Sequence, residues 1–316
     1  MYYNISRKFF INYIIIFANY ITIWGIKLIN ELGEISTSGG VLLKMWEVIV
    51  PSGSRPLVRH SHIRFEITLI TAGSGIYTVG DKKYAIKPYE IFVFASNEQH
   101  CVTKVDENGL EMINLHFEPR YLWGRSFDSL SAQNADFCFR HSPEFCNYLS
   151  PERSTALKSL FIMMTEEFSK KPAEYALQIK NYLNMIIISL IRSFNYSSDN
   201  VAVSRDRLNS VKNTIKYIDT HLSEPITLQM LAENAGMTPN YFSTLFKKIS
   251  GITLWDYINS RRIEATMQLL KGEKQLNILE IATQCGFNNT ANFNKIFKKV
   301  SGLTPKEYRA SGDIIV

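Results

Sequence analysis

The last third of the chain repeats itself, and this constrains the fold more than any other feature. Leu231-Ala232-Glu233-Asn234-Ala235-Gly236-Met237 returns fifty residues later as Ile281-Ala282-Thr283-Gln284-Cys285-Gly286-Phe287. One residue inserted in the second copy makes the offset 51. Phe242, Phe246, Lys247, Lys248, Ser250, Gly251, Thr253 and Tyr257 then match Phe293, Phe297, Lys298, Lys299, Ser301, Gly302, Thr304 and Tyr308 by identity. So many identities in one register encode one small unit twice.

Each copy predicts helix, tight turn, helix. Leu228, Leu231, Ala232 and Ala235 form one apolar face, and the small alanines let a second helix come close. Gly236 suits the left-handed turn that closes the first helix. Thr238 is the expected N-cap, with Pro239 at the first helical position. Phe242, Leu245, Phe246 and Ile249 follow at helical spacing, and Gly251 ends the unit. The second copy repeats this with Gly286, Asn289 as cap, and Phe293, Ile296, Phe297 and Val300.

At about 100° per residue, the face opposite each core can be named. In the first unit it is Asn240, Thr244 and Lys247, with Ser243 on its shoulder and Lys248 nearer the edge. In the second it is Ala291, Lys295 and Lys298, with Asn294 on its shoulder and Lys299 nearer the edge. Such faces suit a helix entering the major groove, where Asn can read adenine and Lys can read guanine or hold a phosphate. A solvated helical bundle would show the same spacing, so charge helps to decide. Residues 205–310 carry 15 Lys/Arg against 9 Asp/Glu, while the rest of the chain carries 20 of each. The whole net charge of +6 thus sits with the repeat, as double-stranded DNA requires. Leu254–Leu270 reads as a long helix between the units, with Trp255, Ile258, Ile263, Met267 and Leu270 available for packing. It would fix the spacing of two recognition helices along one DNA face.

Upstream the periodicity changes. Trp46–Phe117 holds short β-rich runs, and Gly73-Ser74-Gly75, Gly80-Asp81 and Glu107-Asn108-Gly109 read as turns between them, giving an antiparallel sandwich or barrel. From Pro151 to Tyr196 the spacing is helical. Leu157, Leu160, Phe161, Met164 and Phe168 mark one helix, and Lys171-Pro172 breaks it. Leu183, Ile186, Ile187, Leu190, Ile191 and Phe194 mark a second helix, with an apolar face broad enough to be buried on more than one side. That face fits packing on its own barrel or a dimer seam equally well. Asn195–Asp206 reads as a linker.

Phe9–Ile29 is apolar and about long enough to span a bilayer. Arg7 and Lys8 before it, with Glu31 and Glu34 after it, would send the DNA-binding region outside, so a non-membrane element is expected. It reads as an extra apolar element or an upstream extension of the frame, with a start near Met45. Four cysteines without a CxxC fit a reduced, cytoplasmic protein.

The stretch from about Arg207 to Tyr308 resembles the DNA-binding domain of the AraC/XylS family. The resemblance is carried by Ile281-Ala282, Gly286-Phe287, Asn292-Phe293, Phe297-Lys298, Gly302-Leu303-Thr304-Pro305 and Tyr308-Arg309. It implies two helix-turn-helix units on promoter DNA, and activation through contact with RNA polymerase. The earlier region resembles the family's cupin-like sensor domain. His60-Ser61-His62, Glu66 and Gly73-Ser74-Gly75 are similar to the first cupin motif, and Lys87-Pro88-Tyr89-Glu90-Ile91 through His100 to the second. Phe117-Glu118-Pro119-Arg120 resembles the sequence that closes such a domain. Pro88-Tyr89-Glu90 departs from the usual Pro-Gly-Asp turn.

The expected architecture is therefore α+β and multidomain. Residues 1–44 form an apolar extension, 45–150 a cupin-like antiparallel β-barrel that senses an effector, 151–196 a helical dimerisation or linker region, and 207–310 the all-α DNA-binding domain. His60, His62, Glu66 and His100 are the candidate effector contacts. The resemblance implies a small-molecule effector, with a sugar as the class taken by analogy, and a homodimer. No enzyme activity, cofactor, resident metal or membrane partner is expected. In cupin enzymes the same four residues would hold a divalent ion, so a metal-dependent enzyme joined to a DNA-binding domain is the alternative. A constitutive DNA-binding protein whose barrel only dimerises is a third reading. His116, His141 and His221 read as isolated structural residues.

Overall fold

The structure, a computed structural model, describes residues 28–37, 40–54, 57, 59–122, 141, 145–194, 196, 205–272 and 275–310. The apolar segment at 9–29 lies outside them except for its last two residues, and Cys138 lies outside them as well. Leu28 and Ile29 open β1 (Leu28–Thr37), so the sheet begins upstream of the boundary expected at 45. Met45 sits inside β2 (Gly40–Val50), paired with Gly33 on one side and Leu115 on the other. A chain starting at Met45 would lack β1 and part of β2. No helix among the described residues is long and apolar enough to cross a membrane.

The remaining strands are β3 (Phe65–Val79), β4 (Lys82–Ile86), β5 (Ile91–Phe94), β6 (His100–Phe117) and β7 (Tyr148–Leu149). They form one antiparallel sheet in the order β1-β2-β6-β3-β5-β7, with β4 also on β3. Two of the three expected turns are not turns. β3 runs through Gly73-Ser74-Gly75, and β6 runs through Glu107-Asn108-Gly109. Their pairing shifts register around Gly73, where an added Cβ would stand 2.1 Å from the Gly109 carbonyl oxygen. These glycines let two long, bulged strands bend past each other; they do not reverse the chain. Gly80-Asp81 does turn β3 into β4. Tyr89 takes φ +71° in the departing Pro88-Tyr89-Glu90 turn, and the Glu90 carboxylate accepts the Lys87 N–H at 2.7 Å and the Tyr148 hydroxyl at 2.9 Å.

Period-two alternation sorts the strands into two cores. Leu43, Met45, Phe65, Ile67, Leu69, Ile91, Val93, Leu115 and Phe117 face outward to α1 (Pro151–Lys170) and α2 (Tyr175–Phe194). Trp46, Val48, Val50, Ile70, Tyr77, Phe92, Phe94 and Met112 face the interior, where Glu66, Thr68, Asn114 and His116 also sit. Lys171 ends α1 in a left-handed conformation, as the expected break requires. α2 buries Ile179, Leu183, Ile186, Ile187 and Leu190 against its own sheet but leaves Leu177, Met185, Ile188 and Ile191 exposed. The broad apolar face is therefore covered on one side only.

The C-terminal region is α3 (Arg205–Thr220), α4 (Leu228–Asn234), α5 (Pro239–Ser250), α6 (Leu254–Gly272), α7 (Ile278–Gln284), α8 (Thr290–Ser301) and α9 (Pro305–Ala310). α3 starts at Arg205, just inside the segment expected to be linker. The two units have separate cores, and α6 belongs to both. Leu254, Tyr257 and Ile258 enter the first with Phe242 and Phe246, while Ile263 and Leu270 enter the second with Phe293 and Phe297. Trp255, expected to pack, is exposed.

Candidate DNA-binding face and effector site

The expected turn chemistry is present in both units. Gly236, Gly251, Gly286 and Gly302 all have positive φ. Asn289 caps α8 by accepting the Asn292 N–H at 2.8 Å. Thr238 occupies the N-cap position of α5 with Pro239 following, but its side chain makes no cap hydrogen bond. Asn277 and Glu280 form a reciprocal capping box on α7.

Asn240, Thr244 and Lys247 are exposed on α5, with Ser243 and Lys248 half-buried at its edges. Ala291, Asn294, Lys295, Lys298 and Lys299 are exposed on α8. The Thr244 hydroxyl donates to the Asn240 carbonyl at 2.9 Å, which leaves its methyl and oxygen lone pairs to face a base edge. Lys299 approaches Asp256 of α6 at 3.6 Å, a surface pair that a phosphate can displace. Tyr241 is exposed beside Asn240, with the Arg207 guanidinium 5.1 Å from its ring centre. The helical projection did not single it out, although an aromatic residue next to the outer face was the available signal.

In the sensor region, Glu66 collects the histidines. Its Oε2 lies 2.8 Å from His62 Nε2, 3.0 Å from His100 Nε2 and 2.6 Å from His116 Nε2, while the Thr68 hydroxyl donates to Oε1 at 2.8 Å. His116 is thus not isolated. β3 and β6 pair Glu66 with His116 across fifty residues of sequence, beyond the reach of local spacing. His141 meets Glu98 at 3.3 Å, and His221 stacks on Tyr217. His60 and His100 are joined by a backbone bridge, with ring centres 4.6 Å apart.

Burial alone would raise the Glu66 pKa, but His116 and His100 outweigh it and hold the carboxyl well below its usual range. Burial opposes charge on His100, yet Glu66 beside it lifts its pKa above the ordinary imidazole value. His116 goes the other way, to about 3, through burial first and the neighbouring His62 second.

The donor atoms of His60, His62, Glu66 and His100 all lie within 4.8 Å of one another. Three imidazoles and a carboxylate suit a divalent ion of the zinc, nickel or iron type. The ring nitrogens are also oriented for it. His62 Nδ1–H donates to the Arg64 carbonyl at 2.8 Å and His100 Nδ1–H to the Glu98 carbonyl at 2.9 Å. Backbone carbonyls can only accept, so both rings keep the proton on Nδ1 and turn Nε2 inward. The adjoining cavity, lined by Trp46, His60, Glu66, Tyr77, Asn114 and His116 among others, has a volume of about 30 Å³.

The two regions meet next to this cluster. Ile63 is buried in the first helix-turn-helix core with Val211, Ile215 and Phe242. Arg64 pairs with Glu264 of α6 at 2.8 Å. Arg261 of α6 donates to Glu118 at 3.1 Å, Glu264 at 2.7 Å and Asp219 at 2.9 Å.

Two family models match the chain in this order: the AraC-like ligand binding domain over residues 56–171 and the helix-turn-helix domain over 231–311. The chain belongs to the AraC/XylS family of transcriptional regulators. The HTH-type transcriptional activator RhaR of Escherichia coli (strain K12) is 23% identical over 251 residues, covering 79% of this chain and 86% of RhaR. The regulatory protein PocR of Salmonella typhimurium is 30% identical over 131 residues, which covers 42% of this chain but only 43% of PocR. ToxT of Vibrio cholerae shares the fold, with a TM-score of 0.55 at 14% identity over 85% of this chain and 98% of ToxT. This AraC-family chain is thus a DNA-binding transcription regulator with a ligand-binding domain, and its relatives are regulators rather than enzymes.

Proposed function

We propose that this regulator is an effector-responsive activator that holds promoter DNA with α5 and α8. The observation that carries this reading is α6, which lends one half to each core and so presents two polar, basic recognition faces in a fixed relation. Asn240, Ser243 and Thr244 read bases in the first unit. Ala291 and Asn294 offer less to read in the second, where Lys295, Lys298 and Lys299 anchor phosphates alongside Lys247 and Lys248 of the first. Activation through RNA polymerase accords with the activator name of RhaR. The exposed Leu177, Met185, Ile188 and Ile191 of α2 supply a seam for a homodimer. The protein acts in the cytoplasm, where its DNA is.

The effector enters the interior face of the sheet beside His60, His62, Glu66 and His100. A sugar, the class suggested by family analogy, needs that interior to open. Ligand pockets run to about 300 Å³ or more, an order of magnitude above the 30 Å³ cavity.

Footprinting on DNA upstream of the protein's own gene tests the DNA reading; no protected site there at any effector condition would overturn it. On a protected site, Lys248→Ala is expected to weaken binding on all sequences alike and to reduce the salt slope by about 1. Asn240→Ala is expected to relax preference at one base pair, by about 1–3 kcal/mol. Equal losses on every sequence for both variants would refute this division between anchoring and reading.

A further inference from the structure

We propose, building on the regulator reading above, that the effector is a divalent transition-metal ion held by His60, His62, Glu66 and His100, and that Ile63 and Arg64 report its binding to the DNA-binding domain. The link is three consecutive residues with three destinations. His62 points its Nε2 at Glu66 inside the sheet domain. Ile63 is buried in the core of the first helix-turn-helix unit. Arg64 reaches Glu264 on α6, the helix shared by both units. At the end of β6 the same spacing recurs: His116 touches Glu66, and Glu118, just past the strand, meets Arg261 of α6.

The chemistry favours an ion over an organic ligand. The Nδ1–H groups of His62 and His100 are committed to backbone carbonyls, so their Nε2 atoms converge on one buried carboxylate oxygen. Those inward Nε2 atoms and the carboxylate are placed to share one divalent ion, which neutralises Glu66 and satisfies the imidazoles at a single point. The neighbouring cavity of about 30 Å³ accommodates an ion and a water ligand but no pyranose.

The direction of the response follows from size. Ligand atoms bonded at about 2 Å to one tetrahedral ion stand about 3.3 Å apart. His62 Nε2 and Glu66 Oε2 are 2.8 Å apart here. An ion therefore pushes the His62 ring away from Glu66, and the ring bears on the Arg64 carbonyl through its Nδ1–H. The backbone before Arg64 is held on the barrel side, since the Asn97 N–H donates to the His62 carbonyl at 2.7 Å and the Ser96 hydroxyl to the Ile63 carbonyl at 2.7 Å. The displacement thus appears at the α6 contact, loosening Arg64 from Glu264.

The test uses the purified full chain with Zn²⁺, Ni²⁺ and Co²⁺ in turn, and no DNA is needed for its main arms. Titration calorimetry and the visible spectrum of the Co²⁺ form are expected to show one ion per chain. His60→Ala, at the half-exposed rim, and His62→Gln are each expected to weaken binding at least tenfold. Hydrogen exchange in peptides spanning residues 257–266 is expected to rise on ion binding in the parent chain. In Arg64→Ala the ion still binds, while exchange there is fast already and no longer responds. Failure of all three ions to bind stoichiometrically, or binding that survives both histidine variants, overturns the metal site. Binding without any change in α6 exchange, or the same change in Arg64→Ala, overturns the coupling. Loss of DNA binding in every state would instead strike at the regulator reading and leave these arms intact.

Discussion

Replacing Arg261 with methionine is expected to cost the full-length protein about 3–5 kcal/mol, the range for removing one member of a buried ion-pair group. Arg261 is 8% exposed, and burial opposes its charge, but Glu264 and Glu118 more than compensate and raise its pKa. Its Nε serves Asp219 at the end of α3, and its Nη1 serves Glu118 of the sheet domain and Glu264 of α6. Among the described contacts that remain without the guanidinium, Asp219 accepts the Tyr257 hydroxyl at 3.0 Å and Glu118 stands 3.8 Å from Arg64. Two buried carboxylates each lose a charged donor at about 3 Å. Glu118→Gln in the Arg261→Met background removes one of those charges, so it is expected to recover part of the loss. A double-mutant cycle by urea unfolding reads that coupling, expected at about 1–3 kcal/mol. A single-variant loss below about 1 kcal/mol would mean that these groups behave as a screened surface pair.

Arg261 also shows where sequence reading stops. The helix-turn-helix units were legible because every signal for them is local. Gly236 and Gly251, Asn289, and the Phe242/Phe246 spacing each act within one or two turns of helix. The outer faces followed from the same periodicity, and the exposed Asn240, Thr244, Lys295 and Lys298 lie where it put them. Gly73 and Gly109 misled because glycine marks both reversals and close crossings, and only the partner strand distinguishes them. His116 was missed because its contact with Glu66 depends on strand register. The Arg64–Glu264 pair joins residues 200 apart in sequence, and Ile63 looks like any strand residue until a helical domain closes over it. Local physics specifies elements and their faces; it does not specify which faces meet.

The two turn glycines of the repeat, identical in sequence logic, are expected to respond very differently to substitution. Gly236 has φ +65°, and an added Cβ would meet nothing within 4 Å. Gly236→Ala is therefore expected to cost only the left-handed penalty, about 1–2 kcal/mol, and Gly236→Asn less, because Asn tolerates that conformation. Gly286 has φ +89°, and its Cβ would stand 2.3 Å from the Leu222 carbonyl oxygen and 2.8 Å from Arg262 Nε. That carbonyl accepts from Arg262 Nε at 2.9 Å, and Arg262 Nη2 also donates to the Glu224 carbonyl at 3.0 Å. The turn of the second unit is thus pressed onto the backbone that leads into the first. Gly286→Ala is expected to add an overpacking cost of about 1–3 kcal/mol to the same left-handed penalty, and Gly286→Asn should bring no relief. The added cost falls on a contact between the second unit's turn and the segment leading into the first, so it is expected to appear in DNA binding as well as in thermal unfolding. With Gly286→Ala, affinity for a site spanning two major-groove segments is expected to fall more than affinity for a single segment. Matching losses on both sites, or equal effects of the two alanine variants on Tm, would show that the units are oriented by α6 alone.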